Sequence, residues 1–129
     1  MGKPPLELLI VDDNELFVSA LEGLLVNDAS VRVVARAPNG EAAAELAAAL
    51  RPDVVLMDLS MPQMDGFAAT EKILADSPGT AVVVLTGSDD PADHERARTA
   101  GAAGYVTKDR ILVELLETIH SVATGRSLS

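Results

Sequence analysis

The sequence predicts a doubly wound α/β fold, and three observations predict it. Short, nearly continuous apolar runs recur along the 129 residues, helical patterns lie between them, and the two alternate about five times. That alternation calls for a parallel sheet with helices on both faces, because each right-handed crossover between parallel strands needs a covering helix.

The first run, Leu6 to Val11, suits a strand buried on both faces, and comparable runs follow at Val31–Ala35, Val54–Met57, Ala81–Leu85 and, more weakly, Gly104–Thr107. Between the first two, Phe17, Ala20, Leu21, Leu24 and Leu25 share one helical face. The alanine-rich stretch Glu41–Leu50 favours helix by propensity. Asp65 with Gly66, and Asp90 with Pro91, have the chemistry of helix starts, and Gly101 that of a helix end. Leu112, Leu115, Leu116, Ile119 and Val122 define the face of a last helix. A five-stranded parallel sheet in the flavodoxin-like order 2-1-3-4-5 fits this length as a single domain. Residues 1–5 are expected to be a loose terminus, since MGKPPL lacks the layout of a signal peptide and Leu6 stands where a myristoylation signal wants Ser or Thr.

Composition narrows the function classes. Hydrophobic residues make up 48% and charged residues 23%, a balance that folds without help. The formal charge of −10 argues against this domain gripping nucleic acid directly, because phosphate backbones are bound by clustered Lys and Arg. Without cysteine, neither disulfides nor thiolate metal sites are available, which is compatible with a cytoplasmic setting. The apolar runs are far short of the roughly 20 residues that span a bilayer, so no membrane partner is expected.

Open α/β sheets bind ligands at the carboxyl ends of their strands. There the sequence offers Asp12 and Asp13 after strand one, Asp58 after strand three, Thr86 after strand four and Lys108 after strand five. Gathered carboxylates repel one another unless a cation offsets them. Magnesium suits the set, since it prefers oxygen and takes one or two carboxylates plus phosphate oxygens, whereas zinc would want His or Cys. A carboxylate such as Asp58 can then attack phosphorus to give an aspartyl phosphate, with Lys108 and the Thr86 hydroxyl meeting phosphoryl oxygens.

Each residue alone has a blander reading: a cap or turn for Asp12, Asp13 and Asp58, a strand-end hydroxyl for Thr86, a surface ammonium for Lys108. Their joint arrival at four strand ends favours a site. His94 and His120 have no acidic or thiol partner at a ligand spacing, and Met57, Met61 and Met64 read as packing. The glycines form neither a P-loop nor a dinucleotide fingerprint.

Four segments, LLIVDDNEL (8–16), DVVLMDLSMPQMDG (53–66), VVVLTG (82–87) and GAAGYVTKD (101–109), resemble the receiver domains of two-component response regulators. The resemblance implies that Asp58 accepts a phosphoryl group from the phosphohistidine of a sensor histidine kinase. Asp12 and Asp13 would hold magnesium with Asp58 and the backbone carbonyl of Ser60. Thr86 would move toward the new phosphate while Tyr105 turns inward to fill the space, and the output face would be helix four, strand five and helix five. Ser60 and Ser88 occupy positions that tune hydrolysis in such receivers. Self-phosphorylation and autodephosphorylation at Asp58 would be the only chemistry, without turnover of a foreign substrate.

Asp109 departs from the proline that many receivers carry after the lysine. GYVTKD is nonetheless similar to the LuxR-type helix-turn-helix group, also called NarL/FixJ. ATGRSLS at the end is similar to the start of that group's linker. The expected layout is therefore a receiver over 6–124, a linker beginning at 125–129 and a DNA-binding output domain beyond it, with a homodimer through leftover apolar residues of the last helix. A reading frame that stopped at Ser129 would contradict the output domain.

A haloacid-dehalogenase-type phosphatase is the enzymatic alternative, but its nucleophile follows strand one in a DxD pattern, whereas the acids here are adjacent and the third follows strand three. A phosphate-independent atypical receiver, acting as a protein-binding module, is the non-enzymatic alternative; such receivers usually lack an acid, the Thr or the Lys, and all are present here. Flavodoxin-type electron transfer fits poorly with 2% aromatic residues and no Ser/Thr-rich phosphate loop after strand one.

Overall fold

The computed structural model describes residues 4–59 and 65–124. The expected linker at 125–129 and residues 1–3 lie outside them. The chain runs β1 (Leu6–Val11), α1 (Glu15–Leu25), β2 (Val31–Ala37), α2 (Gly40–Leu50), β3 (Val54–Asp58), α3 (Gly66–Asp76), β4 (Ala81–Thr86), α4 (Pro91–Ala100), β5 (Gly104–Thr107), a 3₁₀ turn (Lys108–Arg110) and α5 (Ile111–Ala123). The sheet is parallel throughout in the order β2-β1-β3-β4-β5, as expected from the sequence.

Three strands outrun their apolar runs. Asp58 pairs with Leu85, Thr86 with Thr107, and Arg36 and Ala37 with Ile10 and Val11, so ladder hydrogen bonding extends each strand past the end of its expected run. Burial on both faces holds for β1, β3 and β4 over most of their length but not for β2, which lies at the sheet edge. Its Arg32 and Arg36 are exposed and pair with Glu7 at 2.7 Å and Glu22 at 3.2 Å. Charged side chains on an edge discourage pairing with another chain.

The helix starts follow from side-chain caps. Asn14, Asn39, Asp65 and Asp90 each accept a backbone N–H of the first turn of α1, α2, α3 and α4, and Pro91 opens α4 where no N–H is needed. Gly101 ends α4 at φ 104°, a left-handed conformation that favours glycine. Gly66 has a different reason: a Cβ there would come within 2.8 Å of the Leu59 side chain and 3.3 Å of the Asp58 carbonyl oxygen. Glycine thus lets the start of α3 approach the end of β3.

The sheet separates two apolar layers. On one side Leu8, Ile10, Leu56 and Leu85 meet Val18, Leu21 and Leu25 of α1 and Leu115, Ile119 and Val122 of α5. On the other, Leu9, Val55, Met57 and Val84 meet Ala43, Ala44 and Ala47 of α2, Ala69 and Ile73 of α3, and Ala97 of α4. Among the described residues no helix is long and apolar enough to cross a membrane.

Candidate functional site

The site forms at the carboxyl end of the sheet, where β1 and β3 are neighbours. Asp12 follows β1 directly and is buried, Asp13 beside it is exposed, and Asp58 closes β3 with only 2% of its surface accessible. One carboxylate oxygen from each lies within 4.8 Å of the others. The Asn14 N–H donates to Asp12 Oδ1 at 2.8 Å, while Asp12 Oδ2 is buried with no hydrogen-bond partner. Burial, then the charge of Asp58, push the Asp12 carboxyl up to about 6, against the opposing pull of the Asn14 N–H and Lys108.

Lys108 begins the 3₁₀ turn after β5 and brings its Nζ to 3.2 Å from Asp58 Oδ1. The ammonium also lies 4.2 Å from the centre of the Phe17 ring on α1. Cation–π attraction and the Asp58 carboxylate therefore both act on one charge. The sequence had placed Phe17 only on a core-facing stripe. No local signal links it to a lysine 91 positions away (108 minus 17).

Thr86 is the buried last residue of β4. Its hydroxyl oxygen accepts the Ser88 N–H at 3.0 Å, and the Tyr105 hydroxyl donates to the Ser88 carbonyl at 3.1 Å. Burial, followed by the charge of Asp93, raises the Tyr105 phenol above its ordinary value. An open cavity of about 620 Å³ lies beside Thr86, lined also by Leu59, Phe67, Ser88 and Arg96.

Asp12, Asp13, Asp58 and Lys108 are thus together, and Thr86, Ser88 and Tyr105 form a connected group at the ends of β4 and β5. Ser60, with Met61 and Met64, falls outside the described residues. Sequence reasoning gave His94 no role, yet its ring stacks on Tyr105 with centroids 4.5 Å apart and planes 11° from parallel. It likewise left His120 unassigned, and His120 Nε2 lies 2.9 Å from the Ser30 hydroxyl oxygen.

Residues 8–120 match the family described as response regulator receiver domain. Over 121 residues the chain is 39% identical to the response regulator GacA of Pseudomonas aeruginosa, covering 94% of this chain and 56% of GacA. Over 116 residues it is 40% identical to protein-glutamate methylesterase/protein-glutamine glutaminase 2 of Anaeromyxobacter dehalogenans, covering 90% of this chain and 34% of that protein. The solved structure of a LuxR-family two-component response regulator from an Aurantimonas species superposes with a TM-score of 0.90 at 30% identity, covering 95% of this chain and 88% of that one. The chain spans about half the length of GacA and a third of the methylesterase. With the family matched over most of its length and the acidic pocket formed at the expected sheet end, the chain belongs to the receiver domains of two-component response regulators.

Proposed function

We propose that this receiver is a phosphoryl-driven switch in which Asp58 is the phosphoacceptor and a sensor histidine kinase is the donor. The observation that carries it is the 3.2 Å approach of Lys108 to Asp58 inside a three-carboxylate cluster. An Asp58 oxygen attacks phosphorus of the kinase phosphohistidine; the P–O bond forms, the P–N bond breaks, and the imidazole leaves with its electron pair. Phosphoryl transfer asks mainly for positioning and charge neutralisation, and Lys108 supplies a fixed positive charge beside the acceptor.

The donor set fits a magnesium ion, since it is all oxygen and includes the partnerless buried Oδ2 of Asp12. Asp12, Asp13 and Asp58 would hold it, with the Ser60 carbonyl completing the protein's share. Bound there, magnesium supplies charge neutralisation at the acceptor and the phosphoryl oxygens. Thr86 exchanges its bond from Ser88 for one to a phosphoryl oxygen, and Tyr105 follows into the space that Thr86 leaves. Ser60 and Ser88, two residues beyond Asp58 and Thr86, tune hydrolysis of the aspartyl phosphate.

The domain spans 6–124, and its signal passes to an output domain. A DNA-binding helix-turn-helix output in a cytoplasmic regulator is supported by GYVTKD at 104–109 and the LuxR-family structural likeness; the methylesterase relative is the alternative output. Homodimerisation would use Leu112 and Val113, which α5 leaves exposed.

Intact mass after incubation with acetyl phosphate tests the chemistry. A magnesium-dependent gain of one phosphoryl group that disappears in Asp58→Asn is expected. A folded wild-type protein that gains nothing refutes the phosphoacceptor role.

A further inference from the structure

Ala97 is the one buried residue of α4, so apolar burial holds this helix weakly against the sheet. Side-chain contacts supplement it at two points. Arg96 lies 4.1 Å over the Phe67 ring and 3.6 Å from Asp65, but both charges are more than half exposed, where an ion pair contributes little. His94, half-buried, stacks nearly flat on Tyr105. Offset aromatic pairs at this separation are attractive beyond the area they bury.

What distinguishes the His94 contact is what Tyr105 holds at its other end. Its hydroxyl donates to the Ser88 carbonyl, and the Ser88 N–H donates to Thr86. Contacts therefore run without a gap from Thr86 at the end of β4, through Ser88 and Tyr105, to His94 on α4. Tyr105 cannot turn without either losing the imidazole or carrying it along.

We propose that His94 is the positioning residue that ties α4 to Tyr105, so that a displacement of Thr86 toward a phosphoryl group on Asp58 reaches α4 through the stacked pair. The proposal rests on the phosphoacceptor function above. It assigns a specific contact to the coupling, at a helix that otherwise has little to grip. A flat ring is what position 94 requires, and charge is incidental. Phenylalanine should serve there and alanine should not.

Tyr105 is the only tyrosine and there is no tryptophan, so intrinsic emission reads this ring alone. Wild type, His94→Ala and His94→Phe are compared with and without acetyl phosphate and magnesium, by intact mass, tyrosine emission and hydrogen exchange of the α4 amides. All three should gain the phosphoryl mass equally. In resting His94→Ala, emission should rise as the quenching imidazole is lost. Its α4 amides should exchange about two- to tenfold faster, the range one aromatic contact represents.

The exchange response of α4 to phosphorylation should be lost in His94→Ala and restored in His94→Phe. If His94→Ala does not fold, His94→Gln takes its place under the same expectations. Equal mass gain with a wild-type α4 response in the ringless variant overturns the tie alone. Loss of the mass gain in that variant also overturns it, by putting His94 upstream of the chemistry. No mass gain in the wild type removes the phosphoacceptor function, and the tie with it.

Discussion

The Lys108 ammonium touches both a carboxylate and an aromatic face, 3.2 Å from Asp58 Oδ1 and 4.2 Å from the centre of the Phe17 ring. The ring confines a flexible four-carbon stem that would otherwise sample many positions, and so keeps the charge beside the acceptor. Phe17→Leu preserves the apolar volume of α1 but removes the π face. The contact is worth about 0.5–2 kcal/mol, so phosphorylation by acetyl phosphate should slow about two- to thirtyfold without being abolished. Time-resolved intact mass measures it, and an unchanged rate would show that the ring is packing only.

Asp12 gives a pH prediction with a definite sign. Its folded-state value is raised from 3.8 to about 6, so above pH 6 the folded protein bears the full cost of a buried carboxylate. As pH falls from 6 to 3.8 that cost is relieved, and below 3.8 folded and unfolded states are both protonated at this group. Asp12→Asn should therefore stabilise the magnesium-free protein by about 1–3 kcal/mol at pH 7, with the advantage shrinking toward pH 4. Urea denaturation at the two pH values reads the difference. Magnesium should stabilise the wild type more than Asp12→Asn, because a ligand that binds only the folded state adds to its stability.

Gly101 caps α4 in a conformation that L side chains rarely adopt, and a Cβ there would lie 2.7 Å from Leu74 Cδ1. Gly101→Ala should cost about 1–3 kcal/mol from strain. A thermal melt that matched the wild type would mean that the α4–β5 connection re-forms in another geometry.

Leu112 and Val113 stand 83% and 73% exposed near the start of α5. Leu112→Glu with Val113→Glu should change monomer stability by less than about 1 kcal/mol, since neither side chain packs in the core. It should also weaken self-association, read by sedimentation equilibrium of the phosphorylated protein. Undiminished association would move the dimer contact off this face.

The sheet and its order were legible because buried parallel strands must be apolar almost without interruption, and Leu8–Val11, Val54–Met57 and Val82–Leu85 satisfy that on their face. The reactive groups were legible because the fold brings strand ends together, so residues just past each run become neighbours. Local periodicity carries no information about partners from distant elements. Phe17 beneath Lys108 and His94 against Tyr105 are such cases, each an ordinary residue of an ordinary helix until the crossovers bring it to its partner. Burial of β2 on both faces is not what its position allows: the expected order already places it at the sheet edge, and Arg32 within its run marks the face turned to solvent.

The two apolar layers differ in texture, and that difference gives the domain mechanical polarity. Branched side chains from α1 and α5 mesh with the sheet as teeth, and sliding either helix would mean lifting leucines and isoleucines out of fitted sockets. Across the sheet the side chains that α2 and α4 bury are alanines, with Ile73 of α3 and the His94 ring against Tyr105 as the larger contacts, a shallower surface with fewer interlocks to undo. One layer therefore resists sliding more than the other, and the α2–α4 side is the softer of the two.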